Sequence, residues 1–355
     1  MTARELPVAT VPHLLSPVTV DILYTGGTFG MVDHGAGLRP RRGLGSEIAD
    51  VVGQFERTSG IAVRFEYTEL EQVIDSADAG AGTARRIAER VRSGIARRRP
   101  DGIIVVHGTD TMAYVGARMA FELHDLDAPV VLTGAQIPLG QRGSDAASNL
   151  RLALNHIAAQ PVPGAFIAFG TSLHPAVRAS KRACDHYDGF TTVRGFTPPP
   201  TPPRLPGTQP RSDSPPVGLF AVFPGMDPDL LDAALRHYRG GLVLECYGSG
   251  TLPRHGDATV AAIRAATTRG TSVVVITHCD SGAVDLDRYQ AGRALRAAGA
   301  IGGGDMTREA ALAKLAYLVD LGISGGELRR WMTTNLLGEL SNHHATQSLP
   351  NPTHN

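Results

Sequence analysis

The chain has 355 residues, which is enough for two domains or one large one. Its 34 basic and 34 acidic side chains balance, so net charge does not favour binding to nucleic acid or to an anionic membrane surface. The sequence has three widely spaced cysteines, which form no metal-ligand pair and indicate a reducing compartment. It has no apolar run of about 18 residues for a transmembrane helix and no signal-peptide pattern in residues 1–17. We therefore predict a cytoplasmic protein.

Short β-branched runs alternate with helical patterns in the first half of the chain. The predicted strands are residues 18–24, 62–67, 102–106, 130–133 and 166–169. The predicted helices are residues 83–98, 112–123 and 144–159. Valine- and isoleucine-rich strands interleaved with helices indicate a mostly parallel sheet that is covered on both faces. We predict an α/β domain over residues 18–196.

A proline-dense segment divides this half from the next. Nine prolines fall between Pro198 and Pro216, and such density favours extended or irregular chain. We predict a linker at residues 197–216, a smaller C-terminal α/β domain at 217–342, and mobile tails at 1–17 and 343–355. The elements predicted in the second domain are strands at 219–223, 242–246 and 273–277, and helices at 228–238, 257–268, 308–320 and 326–340. Asp227 followed by Pro228 is typical of a helix start.

Two threonine-glycine motifs each follow a predicted strand. The first is Thr-Gly-Gly-Thr at residues 25–28, and the second is His-Gly-Thr-Asp-Thr-Met at residues 107–112. Open α/β folds bind ligands just outside the carboxyl ends of their strands, so hydroxyl and carboxylate groups there indicate a site for a small polar substrate. Neither motif has the spacing of a phosphate-binding loop. A threonine in such a place is a candidate nucleophile, or simply a turn residue that bonds to the backbone.

Together the motifs resemble the bacterial L-asparaginase/glutaminase family of threonine-nucleophile amidohydrolases. Thr-Phe-Gly-Met at residues 28–31 is most similar to the cytosolic, type I branch of that family. Further segments resemble family landmarks in the family's order, at residues 75–78, 133–136, 178–181 and 302–307. The resemblance extends over nearly the whole chain and implies a two-domain asparaginase-like fold: a larger N-terminal domain, with a mostly parallel sheet and helices on both faces, and a smaller C-terminal α/β domain.

The resemblance implies a set of catalytic residues. Thr28 would attack the side-chain amide, and Thr109, Asp110 and Lys181 would form a second catalytic set that manages protons. Backbone N–H groups of Gly27 and Thr109 would form the oxyanion hole. Asp110 would also receive the α-ammonium of the substrate, although an acid at this place could equally begin the helix that follows.

The resemblance also implies substrate-binding residues. Ser76 would bind the α-carboxylate with Asp75 beside it, and the Ala135 carbonyl would orient the amide; Ser76 could instead cap the following helix. Thr251 stands where the family often has asparagine, at a position that the neighbouring subunit contributes to the site. The family works as dimers that often pair into tetramers, so we predict a homodimer or homotetramer with the site near a subunit interface.

Two other positions depart from the family. Leu38 stands where a tyrosine on the lid loop helps to activate the nucleophile, and leucine has no hydroxyl to relay a proton. Glu245 stands where an arginine is expected in members with a regulatory site, so that site is not predicted in this form. His343 and His344 have no further ligands at metal spacing, and we predict neither metal nor organic cofactor.

These observations predict an L-asparagine amidohydrolase that releases L-aspartate and ammonia and turns over slowly without the lid tyrosine. One alternative is an asparaginase-like amino-acid-binding protein with little turnover. Another is an amidohydrolase for a related small amide, which the changes at Leu38 and Thr251 would permit. The ammonia-supplying subunit of a tRNA-dependent amidotransferase is less favoured, because only 17 residues precede the first predicted strand.

Overall fold

The computed structural model describes residues 16–33, 35, 37–159, 162–199, 203, 213–255 and 257–341. Most of the predicted linker and nearly all of the two predicted tails lie outside these residues. The predicted domain boundaries therefore stay predictions.

The first domain alternates strands and helices, as the apolar runs predict. Its strands are β1 (Val18–Gly26), β2 (Met31–Asp33), β3 (Leu38–Pro40), β4 (Val63–Ile74), β5 (Gly102–Val106), β6 (Pro129–Thr133), β7 (Gly164–Phe169), β8 (Ser172–Pro175), β9 (Ala179–Lys181) and β10 (Phe190–Thr192). Its helices are α1 (Gly45–Ser59), α2 (Thr83–Arg98), α3 (Met112–Glu122) and α4 (Ala146–Ala158).

The main sheet has the order β4-β1-β5-β6-β7-β8, and only β8 runs antiparallel to its neighbour. Every residue of β5 and β6 is buried, because helices cover both faces of the sheet. After β1 the chain adds β4 on one side and then returns to add β5 on the other. The order therefore reverses at β1 and β5, and ligands bind in the crevice beyond the carboxyl ends of such a pair.

The second domain repeats the same principle on a smaller scale. Its strands are β11 (Val217–Ala221), β12 (Gly241–Cys246), β13 (Ser272–Thr277) and β14 (Ile301–Gly302). Its helices are α5 (Pro228–His237), α6 (Ala258–Thr268), α7 (Gln290–Ala297), α8 (Arg308–Asp320) and α9 (Gly325–Met332). The strands form a parallel sheet in chain order. The predicted fold class, a larger parallel-sheet domain followed by a smaller α/β domain, is confirmed.

The two domains share one apolar core where α3 packs against α8. Phe121 of α3 lies in the same buried cluster as Leu315 and Tyr317 of α8. The rings of Phe121 and Tyr317 stack with their centroids 5.8 Å apart. Residues of the second domain can therefore reach the first domain directly, and two of them do so beside the predicted site.

The helix predictions were wrong at three places, one of which is that α7 (Gln290–Ala297) was not predicted. Helix α1 was missed, although Ile48, Val51, Val52 and Phe55 are buried on one face with helical spacing; it begins at Gly45 without a side-chain cap bond. The last helix was predicted to reach residue 340 but ends at Met332. Beyond it the chain turns inward to bury Glu339 against Lys314 of α8. By contrast, Asp227 caps α5 as predicted, with its carboxylate accepting the Asp229 N–H at 2.9 Å.

Candidate active site

The loop after β1 is shaped by two glycines. Gly26 and Gly27 have φ values of 127° and 82°, a region that disfavours side chains. A Cβ on Gly27 would lie 2.2 Å from the Gly108 Cα, and one on Gly26 would lie 2.0 Å from the Ile74 oxygen. Directly after these two glycines the chain forms a 3₁₀ turn at Thr28–Gly30. The predicted nucleophile, Thr28, is thus half-buried at the carboxyl end of β1.

Three loops meet at this point. A Cβ on Gly108 would lie 2.4 Å from the Ser76 Oγ, and the Thr111 hydroxyl donates to the Ser76 carbonyl at 2.9 Å. Gly27 N–H donates to the Ile74 carbonyl at 3.0 Å, just before Ser76. The ends of β1, β4 and β5 therefore bring Gly27, Ser76 and the second motif into contact, as their positions after strands predict.

Lys181 links the second motif to β9. Its ammonium donates to the Thr109 Oγ1 at 2.8 Å and to the Asp110 Oδ1 at 2.6 Å. The Lys181 side chain is 18% exposed and the Asp110 side chain 62% exposed, whereas Thr109 is buried. Because the Thr109 oxygen accepts from the ammonium, its own proton is free to point to another acceptor. The predicted catalytic set of Thr109, Asp110 and Lys181 is therefore one hydrogen-bonded group.

Lys181 is also notable for its rarity. Of the 34 lysines and arginines in the chain, two are lysines, Lys181 and Lys314. A chain that uses arginine almost everywhere else has lysine at two positions where the ammonium makes several short contacts. An ammonium is a compact point charge that the larger planar guanidinium does not replace. Lysine rarity was the sequence signal that could have singled out both positions.

Three further predicted residues, Asp75, Ser76 and Ala135, lie in the loops after β4 and β6. The Asp75 carboxylate accepts the Ala77 N–H at 3.1 Å and so caps a short turn rather than α2, and Ser76 does not cap α2 either. Ala135 is buried and follows Gly134, where a Cβ would lie 2.3 Å from the His107 oxygen.

Thr251 lies apart from these residues, in the second domain. It pairs with Tyr247 in an isolated bridge, and its hydroxyl donates to the Tyr247 carbonyl at 3.4 Å. The contacts that the structure gives Thr251 are therefore within its own turn.

Sequence analysis did not single out His107, whose ring lies between the Thr25 and Thr111 hydroxyls. It is fully buried, and its Nδ1 lies 2.7 Å from the Thr25 Oγ1. Thr25 donates its own proton to the Val106 carbonyl at 3.0 Å, so the hydrogen-bond network assigns the ring proton to Nδ1. Burial lowers the pKa of His107 to about 4, which keeps the ring neutral at physiological pH.

We expect His107 to make stability depend on pH. The unfolded ring titrates near 6.5 and the folded ring near 4, so between these values the unfolded state binds more protons and stability falls as pH falls. The full difference corresponds to about 3 kcal/mol. Denaturant titrations measure the free energy of unfolding of wild type and of His107→Gln. The difference between the two free energies should shrink by about 2 kcal/mol as the pH falls from 7 to 4.5. Parallel pH profiles would contradict this assignment.

The segment that carries Leu38 is a small hairpin of β2 and β3, in which Asp33 pairs with Leu38. The Leu38 side chain is 44% exposed and lies on the hairpin surface. Glu69 of β4 holds the chain just beyond the hairpin: it accepts the Gly43 N–H at 2.6 Å and, on its own strand, the Tyr67 hydroxyl at 2.5 Å. The chain that follows the hairpin is therefore held to β4, and the hairpin itself presents an exposed leucine at residue 38.

Two further observations bear on the class of protein. Within the described ranges, no group of three or more histidine, cysteine or acidic side chains could hold a metal ion. No helix among the described residues is long and apolar enough to cross a membrane.

Comparison with known families gives a consistent result. The profile described as "Asparaginase, N-terminal" matches residues 19–198, and the profile described as "Glutaminase/Asparaginase C-terminal domain" matches residues 216–332. The chain belongs to the asparaginase family. It is therefore an amidohydrolase, and the family resemblance inferred from the motifs is confirmed.

Individual relatives match over most of the chain. L-asparaginase 1 of Escherichia coli K12 is 33% identical over 336 residues, which cover 91% of this chain and 98% of that protein. A crystal structure of L-asparaginase I from Vibrio cholerae has a TM-score of 0.77 and 30% identity, and the match covers 92% of this chain and all of the other. The chain is also similar to a Mus musculus protein named 60 kDa lysophospholipase, with 32% identity over 90% of this chain and 62% of that protein's length. Membership alone therefore does not decide the substrate.

Proposed function

We propose that the protein is an L-asparagine amidohydrolase that converts L-asparagine and water into L-aspartate and ammonia. The observation that carries the proposal is the hydrogen-bonded group of Lys181, Thr109 and Asp110, which lies against the Gly27–Gly108 contact one residue from Thr28. The similarity to E. coli L-asparaginase 1 over nearly its full length supports the choice of substrate.

In the proposed mechanism, the Thr28 hydroxyl attacks the carbonyl carbon of the side-chain amide. The developing oxyanion accepts hydrogen bonds from the Gly27 and Thr109 N–H groups. The Thr28 proton is transferred to the leaving nitrogen, the carbon–nitrogen bond breaks, and ammonia departs from an ester intermediate. Water then attacks the ester, regenerates the Thr28 hydroxyl and releases aspartate.

Lys181 and Thr109 would manage protons in both steps. Lys181 holds the Thr109 oxygen at 2.8 Å, so the Thr109 hydroxyl proton can point to the departing nitrogen in the first step. In the second step the Thr109 oxygen can accept a hydrogen bond from the attacking water. The exposed Asp110 carboxylate would receive the substrate α-ammonium. The buried Ser76, whose hydroxyl lies next to Gly108, would bind the α-carboxylate with Asp75 beside it. The two charged groups on the substrate α-carbon would thus both bind at the second motif.

A second copy of the chain would complete the site. Thr251 lies in the second domain, in a turn with Tyr247. The family resemblance implies that the Thr251 at the substrate comes from a neighbouring subunit. The Ala135 carbonyl would orient the amide from the loop after β6. The homodimer or homotetramer and the cytoplasmic location stay predictions, and sedimentation at micromolar concentration tests the first of these. A monomer in solution would contradict the shared-site arrangement.

We expect Leu38→Tyr to raise kcat. A positioned acid–base group contributes about 10²–10⁴-fold, and Glu69 holds the chain that follows the hairpin whether or not residue 38 carries a hydroxyl. Steady-state ammonia release measures the effect, with Leu38→Phe as the control that adds a ring without the hydroxyl. An equal gain from both variants would assign the effect to packing, and no gain from tyrosine would exclude the family geometry for this hairpin.

The experiment that tests the proposed function is ammonia and aspartate release from L-asparagine, with L-glutamine and other small amides in parallel. Calorimetric binding of L-asparagine separates the two alternatives. Binding without release would favour the amino-acid-binding protein, which the exposed Leu38 motivates. Release from a different amide alone would identify an amidohydrolase of altered specificity.

A further inference from the structure

The strand that presents Lys181 is too small to be rigid by itself. It has three residues and pairs with the three residues of β10. Two-stranded ribbons of this size are marginally stable unless they pack against other elements. An ammonium that must hold the Thr109 oxygen at 2.8 Å therefore needs an anchor from outside the ribbon.

That anchor comes from the second domain, at two places. Ser180 donates its hydroxyl proton to the Glu309 Oε1 at 2.8 Å, across 129 residues of sequence. Arg178, which is fully buried, donates to the Gly338 carbonyl at 2.7 Å and to the Asp305 carbonyl at 2.9 Å. The start of α8, the loop before it and the segment after α9 thus fix the ribbon on one side.

Because side chains alternate along a strand, the contact that fixes Ser180 also fixes the direction of the Lys181 side chain. Consecutive side chains of a strand point to opposite faces. With Ser180 bound to α8, its neighbour Lys181 faces the other way, toward Thr109 and Asp110. Loss of the Ser180 contact would free the strand to rotate or slip, and a displacement of about 1 Å at a catalytic group can cost 10²-fold in rate.

We propose that Glu309 is a positioning residue: through Ser180 it holds β9 in the orientation that places the Lys181 ammonium on Thr109. The proposal rests on the proposed function, because Lys181 and Thr109 are assigned their roles there. We assign Glu309 no contact with the substrate. Glu309 links α8 of the second domain to β9 of the first, the strand that carries Lys181.

The surroundings of Glu309 indicate which feature of the side chain matters. It is buried, and burial raises its pKa, a change that the hydrogen bond from Ser180 partly opposes. Its neighbour Arg308 is engaged elsewhere, with Glu245 at 2.7 Å. The contact needs one acceptor oxygen at the correct place, which a glutamine side chain also supplies.

Steady-state kinetics with L-asparagine test the proposal. Glu309→Ala and Ser180→Ala should each lower kcat about tenfold or more, with KM changed less than about twofold, because orientation and not substrate binding is lost. Glu309→Gln should keep kcat within about twofold of wild type, since its carbonyl accepts the same bond. The double variant should fall no further than either single one. A Glu309→Gln enzyme as slow as Glu309→Ala, or additive losses, would overturn the proposal.

The matched control is Ala316→Gly. Ala316 is a half-buried residue of the same helix α8, seven residues from Glu309, and glycine in a helix interior costs about 1 kcal/mol. This variant should lower the melting temperature while leaving kcat unchanged. A drop in kcat equal to that of Glu309→Ala would mean that the helix acts only through stability, which would overturn a specific role for the Ser180 contact.

A second readout does not depend on activity. Because the chain has two lysines, protein grown with lysine labelled with carbon-13 at the ε-carbon gives two side-chain signals, and Lys181→Arg assigns them. The Lys181 signal should shift in Ser180→Ala and Glu309→Ala but stay in place in Glu309→Gln and Ala316→Gly. Lys314, in the second domain, is the internal reference. An unmoved Lys181 signal in Ser180→Ala would overturn the proposal.

The two readouts separate the possible failures. If wild type releases no ammonia from L-asparagine, the proposed function fails, while the Lys181 signal still decides whether Glu309 positions the strand. If wild type is active and neither kcat nor the Lys181 signal responds to Ser180→Ala, the positioning role alone fails. Ser180→Ala and Glu309→Gln keep the test valid if Glu309→Ala does not fold.

Discussion

Thr28→Ala is expected to abolish measurable ammonia release while leaving the fold intact. Loss of a covalent nucleophile costs about 10⁴-fold or more in kcat, because the ester intermediate cannot form. The loop should keep its shape, since Gly26 and Gly27 fix it and the Thr28 carbonyl still accepts the Met31 N–H. Coupled ammonia assays on wild type and variant at equal concentration measure the effect, and circular dichroism melting checks the fold.

Two further variants sharpen that test. Thr28→Ser restores a hydroxyl and should recover part of the rate, which a purely structural role for the Thr28 methyl group would not allow. Thr58→Ala, on the exposed side of α1, is the control for losing a threonine hydroxyl elsewhere. Ammonia release by Thr28→Ala at the wild-type rate would remove Thr28 from the mechanism.

Lys314→Met is expected to cause the largest loss of stability, about 3–5 kcal/mol, because it leaves a buried carboxylate without its cation. Lys314 and Glu339 are both fully buried and lie 2.6 Å apart. The ammonium also donates to the Thr334 carbonyl at 2.5 Å, and the Glu339 carboxylate accepts the Leu337 N–H at 2.7 Å. The pair therefore closes the segment that follows α9 against the core of the second domain.

Denaturant unfolding measures the free energy of unfolding of this variant. The double change Lys314→Met with Glu339→Gln should recover much of the loss, since glutamine is neutral and its carbonyl can still accept backbone N–H bonds. The matched control is Glu327→Gln, an exposed acid on α9 whose ion pair with Arg330 is at the surface. A loss below about 1 kcal/mol for Lys314→Met would contradict the assignment.

The positions of the site residues were predictable because they follow strands. β-branched runs located β1 and β5, and the motifs at residues 25–28 and 107–112 begin where these strands end. In a sheet whose order reverses there, the two ends are neighbours. The contact between Gly27 and Gly108 is therefore a consequence of local pattern and one topological rule.

His107 illustrates what such patterns miss. As a single histidine in a motif it carried no distinctive period or spacing, and its importance lies in being buried between the Thr25 and Thr111 hydroxyls. Burial is also what lowers its pKa. Neither property can be seen until the strands and loops that surround the ring are packed around it.

The amino-acid sequence alone determined the α/β class, the two domains' parallel sheets and the loops that hold Thr28, Ser76 and Thr109, because hydrophobic period and glycine chemistry act over a few residues. The tertiary structure decided which distant residues support them. Ser180 meets Glu309, and Lys314 meets Glu339 and so ends the last helix at Met332, eight residues before the predicted position 340. Such contacts join residues from separate elements and leave no local period, so only the packed chain specifies them.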